Sequence, residues 1–126
     1  MTGREFRVKR VYLPPDAADG SRVLVDRLWP RGLSRERAQV DLWCRELAPS
    51  AALRRRLHGE RLGWDAFKTA YWAELARPEA ETALRDLFDR LRRGPVTLLF
   101  AARDETHNNA IALKEWLDRR VAPARR

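Results

Sequence analysis

The stretch Val96-Thr97-Leu98-Leu99-Phe100-Ala101 carries almost no polar side chain and stands directly after Gly94-Pro95. A short apolar run bounded by breakers reads as a central strand, buried on both faces. Such a strand needs neighbours in a sheet and helices to cover it, which points to an α/β fold. A second run, Arg22 to Leu28, contains Val23-Leu24-Val25 and has the same character. Pro30 and Gly32 break it, leaving the tight loop Trp29-Pro30-Arg31-Gly32. Residues 5–13 alternate through Phe6 and Val8, slip, and resume at Val11 and Leu13. That pattern reads as a partly exposed strand, stopped by Pro14-Pro15 because proline lacks the ladder donor. The turn-rich residues up to Gly20 permit either a hairpin or a short non-adjacent step to the next strand.

The intervening stretch reads as helical. Ser34 is a suitable N-cap, and Val40, Trp43/Cys44 and Leu47 follow at helical spacing until Pro49. Ser50 can cap the next helix, with Leu53 and Leu57 on its stripe and Gly59 after it. Residues 64–76 repeat Phe67, Tyr71 and Leu75 at i, i+4. Pro78 suits the first position of a further helix, whose buried face is Leu84, Leu87, Phe88 and Leu91. A last helix is expected from about Thr106 to Arg120, with Ala110, Leu113 and Leu117 inward. The fold class expected is α/β: a small, mainly parallel sheet of three or four strands with helices packed around it. The helix before Val96 and the helix after Phe100 are expected to cover opposite faces. The long connection between the second strand and Val96 suits a right-handed parallel crossover. One domain spans 1–126, with 1–4 and 121–126 frayed.

Composition enters by exclusion. No 18-residue apolar run exists among the 126 residues, so a transmembrane helix is not expected. The opening residues have no apolar signal region, which points to a cytoplasmic protein. The single cysteine, Cys44, gives no disulfide framework and reads as a small buried hydrophobe. His58 and His107 have no metal-ligand spacing, and no glycine-rich phosphate loop is present, so neither metal nor cofactor is expected. The net charge is +8, and all but three of the 26 basic residues are arginine. The runs Arg54-Arg55-Arg56, Arg92-Arg93 and Arg119-Arg120 fall in or at the ends of predicted helices, where solvated cations are ordinary.

Parallel sheets place ligand sites beyond the carboxyl ends of their strands. After Val25 come Asp26, Arg27, Trp29 and Arg31; after Ala101 come Arg103, Asp104, His107, Asn108 and Asn109. If the two strands are parallel neighbours, these sets converge. Arg27, Arg31, Arg103 and Asn108 then suit an anion, with help from backbone N–H groups near Thr106 to Asn108. His107 is the candidate acid or base, since imidazole titrates near neutrality. Asp26 and Asp104 are expected to position the arginines; alternatively Asp26 pairs with Arg27 or Arg103 and closes the sheet edge, and Asp104 or Thr106 is a simple cap. Asn109 and Trp29 are expected in the pocket wall. Trp29 reads either as a pocket floor or stacking ring, or as a plug against the core; Trp64 reads as a lid.

The segment VLVDRLWPRGLS resembles the YeaO-like family, the domain of unknown function numbered 488. RVKRVYLPP, LWCRELAPS with Leu53 and Arg54 following, and VTLLFAARDETHNNAIALKEWL extend the resemblance over about residues 6–118. It implies a compact, cytoplasmic, prokaryotic α/β protein and transfers no activity. A uroporphyrin-III methyltransferase-like label used for some relatives finds no cofactor loop here. Distant branches look as though they carry a Cys-His-Arg triplet after the last strand. The matching position here is His107-Asn108-Asn109, without the thiol, which speaks against cysteine chemistry.

Three functional readings follow. The first is a binding or enzymatic domain for a small anionic or phosphorylated molecule. The second is a nucleic-acid-associated basic module, and the third a protein-interaction or accessory domain without chemistry. A homo-oligomer is compatible with each, and no membrane partner is expected. The sequence leaves open whether catalysis occurs.

Overall fold

The computed structural model describes residues 4–59 and 62–121. The expected fraying at 1–4 and 121–126 falls almost wholly outside them. So do the side chain of His58 and the cap following Gly59. Among the described residues no helix is long and apolar enough to cross a membrane.

Four parallel strands form one sheet in the order β1-β4-β2-β3. They are β1 (Phe6–Arg10), β2 (Ser21–Leu24), β3 (Leu42–Trp43) and β4 (Val96–Phe100). The Val96 run is the buried strand it was expected to be: all of β4 is buried, and it pairs with β1 on one side and β2 on the other. The step from β1 to β2 is therefore non-adjacent, not a hairpin. Gly20 makes the entry into β2 possible. Its φ is 65°, and a Cβ there would stand 2.1 Å from the Pro95 carbonyl oxygen. That oxygen accepts from the Ser21 N–H at 3.0 Å, so β2 and β4 begin in register at a point only glycine can occupy.

Helices α2 (Ala51–Gly59), α3 (Trp64–Leu75), α4 (Glu81–Leu91) and α5 (Asn109–Val121) match expectation, with α5 starting three residues late. Ser50 Oγ accepts from the Leu53 N–H at 3.1 Å and caps α2. The expected helix from Ser34 to Ala48 is not formed. α1 (Arg35–Ala38) is its only α-helical part; Gln39 turns left-handed at φ 47°, the chain enters edge strand β3, and a single 3-10 turn follows at Arg45–Leu47. The apolar spacing at Val40, Trp43 and Leu47 serves instead to pack Val40 and Trp43 beside Leu24 and Leu99, while Leu47 joins the larger core.

The helices also do not divide between faces. Phe6, Val23, Val25, Val96, Leu98 and Phe100 share one face of the sheet and pack with residues of α2 to α5. The alternation within β2 and β4 sends Leu24 and Leu99 the other way, to a small cluster with Val11 and Ala38. Farther along that second face the sheet is polar. Arg22 and Thr97 lie side by side there, and Asp19 joins them from the turn before β2. A face that carries a buried arginine beside threonine has little apolar area to hold a full helix, and four-residue α1 and the 3-10 turn Ala17–Asp19 lie against it instead.

Candidate anion-binding pocket

Beyond the carboxyl ends of β2 and β4 the surface opens into a cavity of about 790 Å³. Asp26, Arg27, Trp29 and Arg31 line it from the β2 side, and Arg103, Asp104, His107, Asn108 and Asn109 from the β4 side. The two strand ends thus share one hollow because β2 and β4 are parallel neighbours.

Asp26 fixes that junction. One carboxylate oxygen accepts from the Ala101 N–H at 2.9 Å, and the other from the Asn109 amide at 3.1 Å. The same amide donates to the Val25 carbonyl at 2.9 Å. The end of β2, the end of β4 and the first residue of α5 are therefore tied at one carboxylate. Burial pushes the Asp26 carboxyl up from its ordinary range, partly offset by these two donors and by the charge of Arg54. No hydrogen bond joins Asp26 or Asp104 to Arg27, Arg31 or Arg103, so the expectation that these aspartates position the arginines is corrected.

Asp104 is occupied within its own loop. Its Oδ1 accepts from the Thr106 N–H, the Thr106 hydroxyl and the His107 N–H, each at 3.0 Å. The Thr106 N–H holds the exposed carboxyl below its ordinary range, with the His107 N–H second. Asn108 is buried, and its side-chain oxygen accepts from the Ile111 N–H at 2.9 Å as the cap of α5. Its amide donates to the Asp104 carbonyl at 2.9 Å. Two of the backbone donors expected to receive an anion, at Thr106 and His107, are thus already taken by Asp104. The guanidinium groups are what remains. Arg27, Arg31 and Arg103 are exposed, and their guanidinium groups have no hydrogen-bond or ion-pair partner among the described residues.

Trp29 lines the cavity as a plug. Its Nε1 donates to the Leu33 carbonyl at 2.6 Å, its ring meets Trp43 edge-on, and the Arg35 guanidinium lies 4.5 Å above it. Trp43 in turn donates to the Asp26 carbonyl at 2.9 Å. Tyr12 donates its hydroxyl to the Arg31 carbonyl at 2.9 Å and anchors the opposite side of the same loop. His107 is exposed. Its Nδ1 lies 3.0 Å from the Thr106 hydroxyl, its ring meets Trp64 at 86°, and its Nε2 makes no hydrogen bond to another described residue.

Tyr12, Arg54, Leu57, Leu62 and Phe67 also line the cavity, and the strand ends did not announce them. Arg54 stands one residue past Leu53 on α2. Sequence reading assigned it to a solvated run, and only the packing of α2 over the strand ends brings it in. Trp64 lines the cavity at the start of α3, stacked on Phe67 at 5.7 Å, in the place foreseen for a covering ring. Cys44 lies in the core and not at the cavity. Burial, with the charges of Glu46 and Asp86, pushes its thiol up to about 12, so it is no nucleophile at neutral pH.

Residues 5–125 match the family described as "Inactive DUF488-N3 subclade". The chain is 44% identical over 112 residues to "Uncharacterized protein YeaO" of Escherichia coli K12, covering 89% of this chain and 96% of the relative. It is 40% identical over 114 residues to "Uncharacterized protein Rv3073c" of Mycobacterium tuberculosis, covering 90% of this chain and 94% of that one. No solved structure matches it. The chain belongs to the YeaO-like DUF488 family, within the subclade described as inactive DUF488-N3.

Proposed function

We propose that the protein binds a small anionic molecule, bearing a phosphate or carboxylate, beyond the carboxyl ends of β2 and β4, and holds it without transforming it. One observation carries this reading: Arg27, Arg31 and Arg103 line a single cavity, and none of their guanidinium groups has a protein partner among the described residues. A guanidinium presents a planar fork of donors that fits phosphate and carboxylate oxygens in pairs. With Arg54, four arginines face two aspartates around the cavity. Asp104 is engaged in its own loop, so the field left for a ligand is positive. His107 supplies a further hydrogen-bonding nitrogen through Nε2. The description of the subclade as inactive supports binding over catalysis, as does the burial of the only thiol. A nucleic-acid strand has less support, since Arg35 already covers one face of Trp29.

Isothermal titration with inorganic phosphate at low ionic strength tests this. The wild-type chain is expected to bind it, and Arg31→Ala to bind about tenfold more weakly, the scale of a lost charge-assisted hydrogen bond. Equal affinity in the two proteins contradicts the reading.

A further inference from the structure

We infer that the anion is carried on a flat ring with N–H donors, as in a nucleoside monophosphate, and is not a free inorganic ion. This rests on the anion-binding reading above and adds the rest of the ligand. Three features of the cavity lead to it.

The first is size. At about 790 Å³ the cavity lies within the range that encloses molecules of drug size, far beyond one phosphate group. The second is the apolar wall. Leu57, Leu62 and Trp64 line the cavity half-buried, and a lone phosphate or a sugar phosphate leaves their remaining apolar surface uncovered. A ring does. The third is Asp26. Its carboxylate lines the same cavity, has no ion-pair partner, and receives only the Ala101 N–H and the Asn109 amide. A carboxylate offers about four acceptor positions, so two stay open. An N–H on the edge of a nucleobase fits them, and Arg54 lines the same cavity as Asp26, so a cation for the phosphate and an acceptor for the ring share one pocket. A phosphate for the arginines, a ring for the apolar wall and ring N–H groups for Asp26 are all present in one nucleoside monophosphate.

The experiment is a titration of the full chain with inorganic phosphate, ribose 5-phosphate, UMP, AMP and GMP at low ionic strength. Ribose 5-phosphate is expected to bind like phosphate, and at least one nucleotide about tenfold tighter, the scale of one base against an aromatic and apolar surface. Asp26→Asn is expected to erase most of that advantage. Trp64→Ala provides a second variant, expected to lower nucleotide affinity several-fold with phosphate unchanged. If phosphate binds and no nucleotide binds tighter than ribose 5-phosphate to the wild-type chain, the inference is overturned and the anion pocket stands. If neither phosphate nor any nucleotide binds, or if binding is indifferent to Arg31→Ala, the anion pocket falls and the inference with it.

Discussion

Two aspartates stand just beyond the two ends of β2, and the protein treats them in opposite ways. Asp19, before the strand, is 7% exposed and meets Arg22 at 2.6 Å and Lys9 at 3.0 Å. Arg22 also donates to the carbonyls of Ala38 and Gln39, and Thr97 donates its hydroxyl to the Asp19 carbonyl at 2.7 Å. Asp26, after the strand, meets one backbone N–H and one amide and has no cationic partner at hydrogen-bond distance. Burial raises both carboxyls. At Asp19 the hydrogen bonds from Lys9, the Asp16 N–H and Arg22 outweigh it, and the group sits below its ordinary range. At Asp26 burial wins. The contrast separates structure from function. At one end of the sheet Asp19 meets two cations, and at the other three guanidinium groups line a cavity with no protein partner among the described residues.

The largest way to break this contrast is at the matched end. Asp19→Ala leaves Arg22 buried without its counter-charge and is expected to destabilise by about 3 kcal/mol at pH 7 in urea unfolding. Phosphate binding by the fraction still folded is expected to be unchanged. Because the folded carboxyl lies below its unfolded value of 3.8, its contribution is present above that value and is lost as pH falls through the folded one. The gap between wild type and Asp19→Ala should therefore close in acid.

Gly20→Ala comes next, with an expected loss of about 2 kcal/mol by thermal unfolding, from a positive φ and a Cβ driven against Pro95. An alanine accepted there without loss would mean that β2 and β4 start less tightly than described. Asp26→Asn should have a smaller effect, about 1 kcal/mol, of a size set by one hydrogen bond rearranged. Its sign with pH is the reverse of Asp19. The folded carboxyl lies above 3.8, so wild-type stability falls as pH rises from that value through the folded one, and the asparagine variant lacks this step. A matching slope in both proteins would remove Asp26 as the distinctive group. Smallest is Arg31→Ala, an exposed side chain without a partner, expected to change stability by no more than about 0.5 kcal/mol while it weakens phosphate binding.

Much of this was legible from residues alone, for identifiable reasons. The Val96 run announces a central strand because burial on both faces leaves no room for polar side chains. The convergence of Arg27 and Arg31 with His107 follows once that strand is placed parallel to Val23-Leu24-Val25. Edge strand β3 was not legible. Two residues carry no period, and Val40, Trp43 and Leu47 fall by accident at helical spacing; the left-handed turn at Gln39 decides against the helix. Arg54 and Leu57 were hidden for a different reason. They sit on a helix far along the chain from the strand ends, and only tertiary packing carries them to the cavity. The capture of the Thr106 and His107 N–H groups by Asp104 was foreshadowed only as a cap, yet it decides which donors a ligand meets.

The most direct test is a titration of the isotope-labelled chain with inorganic phosphate, followed by the backbone amide signals of both ends of β2. Signals of Asp26 to Arg31 and of Ala101 to His107 are expected to move together and saturate, while those of Lys9, Asp19 and Arg22 stay still. Shifts that gather at the Asp19 end, or that spread evenly over the surface arginines without saturating, would contradict an open, anion-receiving end of the sheet.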